Sequence, residues 1–408
     1  MKRIDRRRLL QLSGAGALAT GTGGIAAILA AGRAPAFAQG TTLHWVAQAN
    51  YVPASDQLLR TKILEQCQKD LGIKFNLEGV DGLTIQARVT SAVQSGTGPD
   101  IIQAINNWAQ LYANSVVDIS DVAEEIGKAQ GGFYETARAV ANDGDKWIAM
   151  PWIIVGLQIV NRKSWWAEIG YGPEKYPQNW EEYREAGKKL KAKGHPVGQT
   201  LGHAFGDAPA FWYPYLWSWG GKEVEADGKT VVLNSPGTIE SVKFAVAWWK
   251  DACDDGAFAW DDSGKPLRDD CFHAPLPKGP AGPFSWHVPF ANMVMGYSKN
   301  QKAAKDFLRW IHSEKIYEQW FISQQGFSVG PTTVWEEHKL WGDDPIMAPF
   351  RTAARSGRFA GYAGPANRKA AEAISKYILV DMYAKAVQGM PAEDAVKWAH
   401  GELVKIYT

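Results

Sequence analysis

Six tryptophans, Trp108, Trp152, Trp212, Trp217, Trp219 and Trp286, stand beside Gly, Pro, Asn or other aromatic residues in stretches that read as loops. Any one of them alone fits core packing. As a set they suggest a surface that recognises flat apolar faces. The same ring faces would also attract a quaternary ammonium ion. Residues that break bonds are sparser. Glycoside hydrolysis needs two carboxylates flanking the bond, and the adjacent pairs Glu181 with Glu182 and Asp261 with Asp262 read as solvated charges. The eight histidines are scattered without ligand spacing, and neither HExxH, a GxSxG elbow nor a Cys-rich cluster is present. Cys67, Cys253 and Cys271 form no CxxC, though a Cys253 to Cys271 bridge stays open in an oxidising compartment. A phosphate ligand would favour Arg, Lys or helix N-termini, and the aromatic loops are poor in both basic residues. The residues point to a binder without catalytic residues, metal or cofactor.

The N-terminus says where that binder works. Arg6, Arg7 and Arg8 precede a mildly apolar run from Leu12 to Ala31, and Ala36-Phe37-Ala38 offers the small residues that a signal peptidase reads. We expect a twin-arginine signal over residues 1–38, cleavage after Ala38 and a soluble periplasmic protein. Gly14 to Ala19 matches a dinucleotide fingerprint, but no strand precedes it and it lies inside the signal. Removing residues 1–38 takes six basic residues and Asp5, so the net charge of +1 falls by five to −4. That balance argues against a nucleic-acid partner. The remaining 370 residues, 408 less 38, exceed one compact core and suit two lobes.

The elements that must position these residues alternate. Thr42 to Val46 reads as a strand, and Ser55 can cap a helix whose Leu59, Ile63, Cys67 and Leu71 repeat every four residues before Gly72. A strand from Ile73 to Leu77, a helix around Leu83 to Val93 and a strand from Ile101 to Ala104 follow. Strand, helix, strand, helix, strand means an α/β fold with a parallel sheet. Pro151 to Leu157 reads as one crossover between lobes, and the Pro- and Gly-rich stretch from Pro275 to Pro289 as a second. Val242, Ala245, Val246 and Trp249 form a helical stripe that turns Trp249 inward.

The order of these pieces resembles the family 1 extracellular solute-binding proteins of ABC importers, the group that includes maltose-binding protein. The resemblance is carried by Ser95-Gly96-Thr97-Gly98-Pro99-Asp100-Ile101-Ile102, by Pro151 through Asn161-Arg162-Lys163, by Trp217-Ser218-Trp219-Gly220-Gly221, by Ala274 to Pro280, and by Tyr297-Ser298-Lys299-Asn300. It implies a periplasmic-binding-protein-like α/β fold, two lobes joined by hinge strands, with a ligand held in the cleft. It further implies a carbohydrate or related polyol as the small-molecule partner, an ABC permease in the inner membrane as the protein partner, and a monomer. A quaternary ammonium or glycerol-phosphate-type solute is the alternative, and a Trp-rich exported glycoside hydrolase a more distant one.

On this resemblance residues 39–150 form the N-terminal lobe, with 288–330 returning to it. Residues 151–287 form the C-terminal lobe, with 331–408 returning. The expected ligand residues of the first lobe are Tyr51, Asp81, Asn107 and Trp108, each just after an expected strand end, where open parallel sheets place ligands. Those of the second are Trp152, Trp212, Tyr213, Trp286 and His287. The chain departs from the family between Trp260 and His273. Members usually carry a further strand and helix there, and the ten residues from Ser263 to Phe272 cannot hold a unit that occupies roughly 30.

Overall fold

The computed structural model describes residues 40–203, 206–254, 268–355 and 357–408. The expected export signal, its cleavage site, Asp261 with Asp262 and the first half of the shortened segment, 263–267, lie outside these residues. The chain opens with strand β1 (Thr42–Gln48), then helix α1 (Pro53–Leu58), which runs through a π-helical stretch, Leu59–Ile63, into α2 (Leu64–Leu71). Pro53 starts the helix because its fixed φ suits the first helical turn. Ser55 therefore falls inside that turn, buried, and caps nothing. Gly72 ends α2 in the left-handed conformation at φ 72°. Strand β2 (Lys74–Val80), helix α3 (Gly82–Ser95) and strand β3 (Ile101–Ile105) complete the alternating unit.

After β4 (Met150–Gly156) and β5 (Ile159–Arg162) the chain becomes largely helical: α4 (Trp180–Ala192), α5 (Asp207–Ser218) and α6 (Pro236–Ala252). Strand β6 (Cys271–Ala274) and the ten-residue β7 (Ser285–Val294) lead to α7 (Gln301–Ile311) and α8 (Glu314–Ser323). The chain ends with β8 (Gly357–Arg358), α9 (Arg368–Ser375), α10 (Ile378–Val387) and α11 (Ala392–Tyr407).

One mixed sheet dominates. β1 lies between β2 and β3, parallel to both, with Thr42 opposite Lys74 and Trp45 opposite Ile101. Every residue of β3 is buried, as the apolar run of a central strand requires. β7 pairs antiparallel with β3 on one edge and with β4 on the other. The start of β7 pairs parallel with β8. β5 and β6 form a separate antiparallel pair, with Ile159 opposite Ala274.

The buried apolar residues separate into two clusters, and Val288 packs against both. One holds residues from 43–154 and 290–354, the other from 166–286 and 360–407. The expectation returned the chain to the second lobe at 331. Trp335, Trp341, Ala353 and Ala354 instead pack in the first cluster, because this stretch docks on α8 and β4. β4, β7 and β8 are thus the segments where the chain passes between clusters.

The second cluster is a block of aromatic rings. Trp212 and Trp217 were expected in loops, but α5, which carries both, is a helix buried along its length after Asp207. A helix apolar on all sides belongs inside a core, and Pro214 is accommodated within it. Ser235 caps α6 by accepting from the Thr238 amide at 3.3 Å. Along α6, Val242, Ala245 and Trp249 are buried as the stripe predicts. Gly279 meets the end of α5 so closely that a Cβ there would lie 2.3 Å from the Ser218 carbonyl oxygen. All three cysteines are free thiols.

Candidate ligand-binding site

Beyond the C-terminal end of β1 the chain turns away from the sheet, held by the Asn50 side chain, whose oxygen accepts from the Val52 amide at 2.9 Å. Tyr51 is left 60% exposed. Its ring lies 5.6 Å from that of Phe327, and its hydroxyl accepts from Gln48 Nε2. These residues border a recess with about 530 Å³ of space open to solvent. Gln48 and Gln103 line it from the sheet, Trp152, Ile153 and Phe290 from the strands that cross between clusters, and Trp320, Gln324 and Phe327 from α8 and the turn after it. This is the carboxyl edge of a parallel unit, where doubly wound sheets place ligands.

The polar groups of the wall are mostly neutral. Gln103 accepts from the Gln48 amide at 3.2 Å, and Gln324 Nε2 donates to Asn50 at 3.4 Å. Among the described residues the Nε1 of Trp320, a residue 1% exposed, and the Oε1 of Gln48 have no hydrogen-bond partner. The two charged lining residues cancel each other: Arg60 Nε donates to Asp56 at 2.7 Å and its Nη1 to the Leu77 carbonyl at 2.7 Å. Burial raises the pKa of the Tyr51 hydroxyl, the hydrogen bond from Gln48 opposes this, and the charge of Asp207 raises it further. Asp207 is the first residue of α5 and comes from the opposite lobe. Burial alone lifts its carboxyl above the ordinary range.

Of the nine expected ligand residues, the recess gathers two, Tyr51 and Trp152. Trp152 forms its inner wall, edge-on to Trp45 and 4.5 Å from the Trp320 ring. Asp81 caps α3 instead, accepting from the Thr84 amide at 3.0 Å and from its hydroxyl. Asn107 is buried and donates at 3.4 Å to the Asn367 carbonyl of the opposite lobe. Trp108 packs in the first core. Three of the remaining four, Trp212, Tyr213 and Trp286, lie inside the second lobe because α5 and the start of β7 are buried there, and His287 lies where β7 crosses between the clusters. Trp212 is 0% exposed, stacked 4.5 Å from Tyr383, with Nε1 donating to the Thr200 carbonyl at 3.0 Å. Tyr213 and Trp286 pack ring to ring at 5.1 Å, and Trp286 stacks on Trp217 at 5.8 Å. His287 sits in β7, 0% exposed, with Nε2 on the Ala353 carbonyl and Nδ1 without a partner among the described residues. Burial pushes its pKa down to about 4, so the ring is neutral.

Gln48, Gln103, Trp320, Gln324, Phe327 and Asp207 were not anticipated. One signal was available: Gln103 interrupts the apolar run Ile101–Ile105 of a strand buried on both faces. Two other patterns resolve as structural. Glu182 belongs to a helix cap, accepting from the Gln178 amide at 2.8 Å while Asn179 accepts from the Glu182 amide. Residues 326–330 spell G-x-S-x-G, but a nucleophile elbow joins a strand to a helix. Here the motif follows helix α8, and the buried Ser328 hydroxyl donates to Gln324 at 3.3 Å.

Residues 62–274 match the family model of the bacterial extracellular solute-binding proteins. The diacetylchitobiose binding protein DasA of Streptomyces coelicolor is 27% identical over 169 residues, which is 40% of this chain and 36% of that protein. The chain thus matches little more than a third of this relative's length. Maltose-bound MalE3 of T. maritima superposes with a TM-score of 0.73 at 18% identity, covering 89% of this chain and 99% of that one. A solute-binding protein of Thermotoga lettingae bound with α-D-tagatose superposes with a TM-score of 0.74 at 18% identity, covering 90% and 100%. The recess, the crossing strands and the two cores therefore lie in a two-lobed α/β fold, and the chain belongs to the bacterial extracellular solute-binding proteins.

Proposed function

We propose that the protein is the binding component of an ABC import system, capturing a sugar or related polyol between its lobes and delivering it to an inner-membrane permease. The observation that carries this reading is the recess, with aromatic rings and amide side chains in its wall and its charged pair already satisfied. Hydroxyl groups both donate and accept, which suits Gln48, Asn50, Gln103 and Gln324. A quaternary ammonium ion makes no hydrogen bonds and would leave those amides unpaired. A phosphate would meet no unpaired cation among the lining residues. The ligands of the related proteins, maltose, tagatose and diacetylchitobiose, support the same class. The protein acts as a periplasmic monomer released by cleavage after Ala38, with residues up to 154 and from 290 to 354 as one lobe. Among the described residues no helix is long and apolar enough to cross a membrane.

A thermal-shift screen with maltose, ribitol, diacetylchitobiose, glycine betaine and glycerol 3-phosphate tests this. Saturation at 100 times Kd stabilises a protein by about 2.7 kcal/mol, so a neutral probe should raise the melting temperature. A shift given only by betaine or glycerol phosphate would exclude the sugar reading. Replacing Tyr51 with Ala should weaken binding of the active probe by about 1–3 kcal/mol, the range of ring stacking contacts. Equal calorimetric affinities would remove Tyr51 from the site.

A further inference from the structure

Helix α9 belongs to the second lobe, yet one of its sides is turned to the first. Asn367, which caps it, Ala371 and Ser375 follow one another at four-residue spacing, which sets them along one face. Ala370, Ala373 and Ile374 point elsewhere and are packed in the second core. At the start of the stripe the Asn367 carbonyl accepts from Asn107 Nδ2 at 3.4 Å, and at its end the Ser375 hydroxyl accepts from Gln86 Nε2 of α3 at 3.2 Å. Between these bonds Ala371 is 0% exposed although it is part of neither core. The helix lies there against the 3₁₀ stretch Trp108–Ser115 of the first lobe. It therefore rests beyond the end of β3 and takes up Asn107, one of the expected ligand residues.

We propose that α9 is a latch between the lobes, holding them against each other through protein contacts alone, so that the closed arrangement is populated before a solute arrives. The inference rests on the two-lobed fold and not on the chemistry of the solute. Lobes joined only by crossing strands are expected to move freely unless a further interface restrains them. Here the restraint is neutral, a buried alanine flanked by two hydrogen bonds from amide side chains. A solute entering at the recess adds its contacts to an arrangement that already exists, and less of its binding energy goes into moving the lobes.

Small-angle X-ray scattering on the dialysed protein, without added sugar, tests the latch. Gln86→Glu combined with Ser375→Asp sets two carboxylates where the bond now lies and should raise the radius of gyration. The rise should fade in about 1 M salt, where the screening length is about 3 Å. Gln86→Lys combined with Ser375→Asp offers an ion pair instead and should keep the compact value of the unaltered protein. Ala371→Trp puts a ring into a contact that has no room for it and should give the same expansion at any salt concentration. An unchanged radius of gyration in the dicarboxylate variant at low salt overturns the proposal. Equal expansion in the dicarboxylate and ion-pair variants overturns it as well, because damage to α9 would not depend on the sign of the charges.

Discussion

Replacing Trp212 with alanine is expected to cost about 3–5 kcal/mol of folding stability, the range for truncating a buried aromatic residue, and to leave ligand affinity unchanged in the molecules that stay folded. The indole is stacked on Tyr383, lies against Phe211 and Tyr215, and is bonded to the Thr200 carbonyl. Its loss opens a cavity and leaves that carbonyl without its donor. Chemical denaturation gives the first quantity and calorimetry on the folded fraction the second. An affinity loss with no change in stability would return Trp212 to the binding surface, where its sequence neighbours first suggested it.

Acidification is expected to destabilise the protein by about 3 kcal/mol through His287 alone. The folded ring titrates at about 4 because burial disfavours the charged form, against an ordinary value of 6.5. Above pH 6.5 both the folded and the unfolded ring are neutral, and the contribution is fully present. Between 6.5 and 4 the unfolded chain takes up a proton that the folded ring refuses, so stability falls by about 1.4 kcal/mol per pH unit. His287→Gln keeps a donor for the Ala353 carbonyl and cannot titrate. Denaturation of both proteins across this range should show a shallower slope for the variant, with equal affinity for the solute at neutral pH. Parallel slopes would mean that His287 is protonated in the folded protein.

These two residues also show where sequence reasoning reached its limit. The first strands and helices were legible because short apolar runs alternate with capped helices, and Gly72 can end one in only a few conformations. The crossings near 151 and 285 could be placed because Pro and Gly punctuate them. Helix α5 carried no such signal. It is apolar on every face, so its residues show no period, and Pro214 made it read as a loop. The surplus of aromatic residues was therefore assigned to a binding surface when most of it fills a core. Conversely, Gln48 and Gln324 are ordinary polar residues whose place in the recess depends on which segments the fold brings opposite one another. Gln103 was the exception, a polar side chain in a strand with no exposed face.

The path of β7 has a consequence for the order in which this molecule is made. On a ribosome, β3 emerges with one edge empty, and the strand that pairs with it, residues 290–294, arrives only after residues 166–286 of the second lobe have been synthesised. The helices that finish the second core, α9 to α11, come later still. Neither lobe is a contiguous piece of chain: the first core closes only with residues 290–354 and the second only with residues 360–407. Folding is then largely an event of the finished polypeptide, with long loops closed late and slowly. The twin-arginine route expected from Arg6, Arg7 and Arg8 would give such a chain time to fold inside the cell, before the ligand it is proposed to carry is encountered.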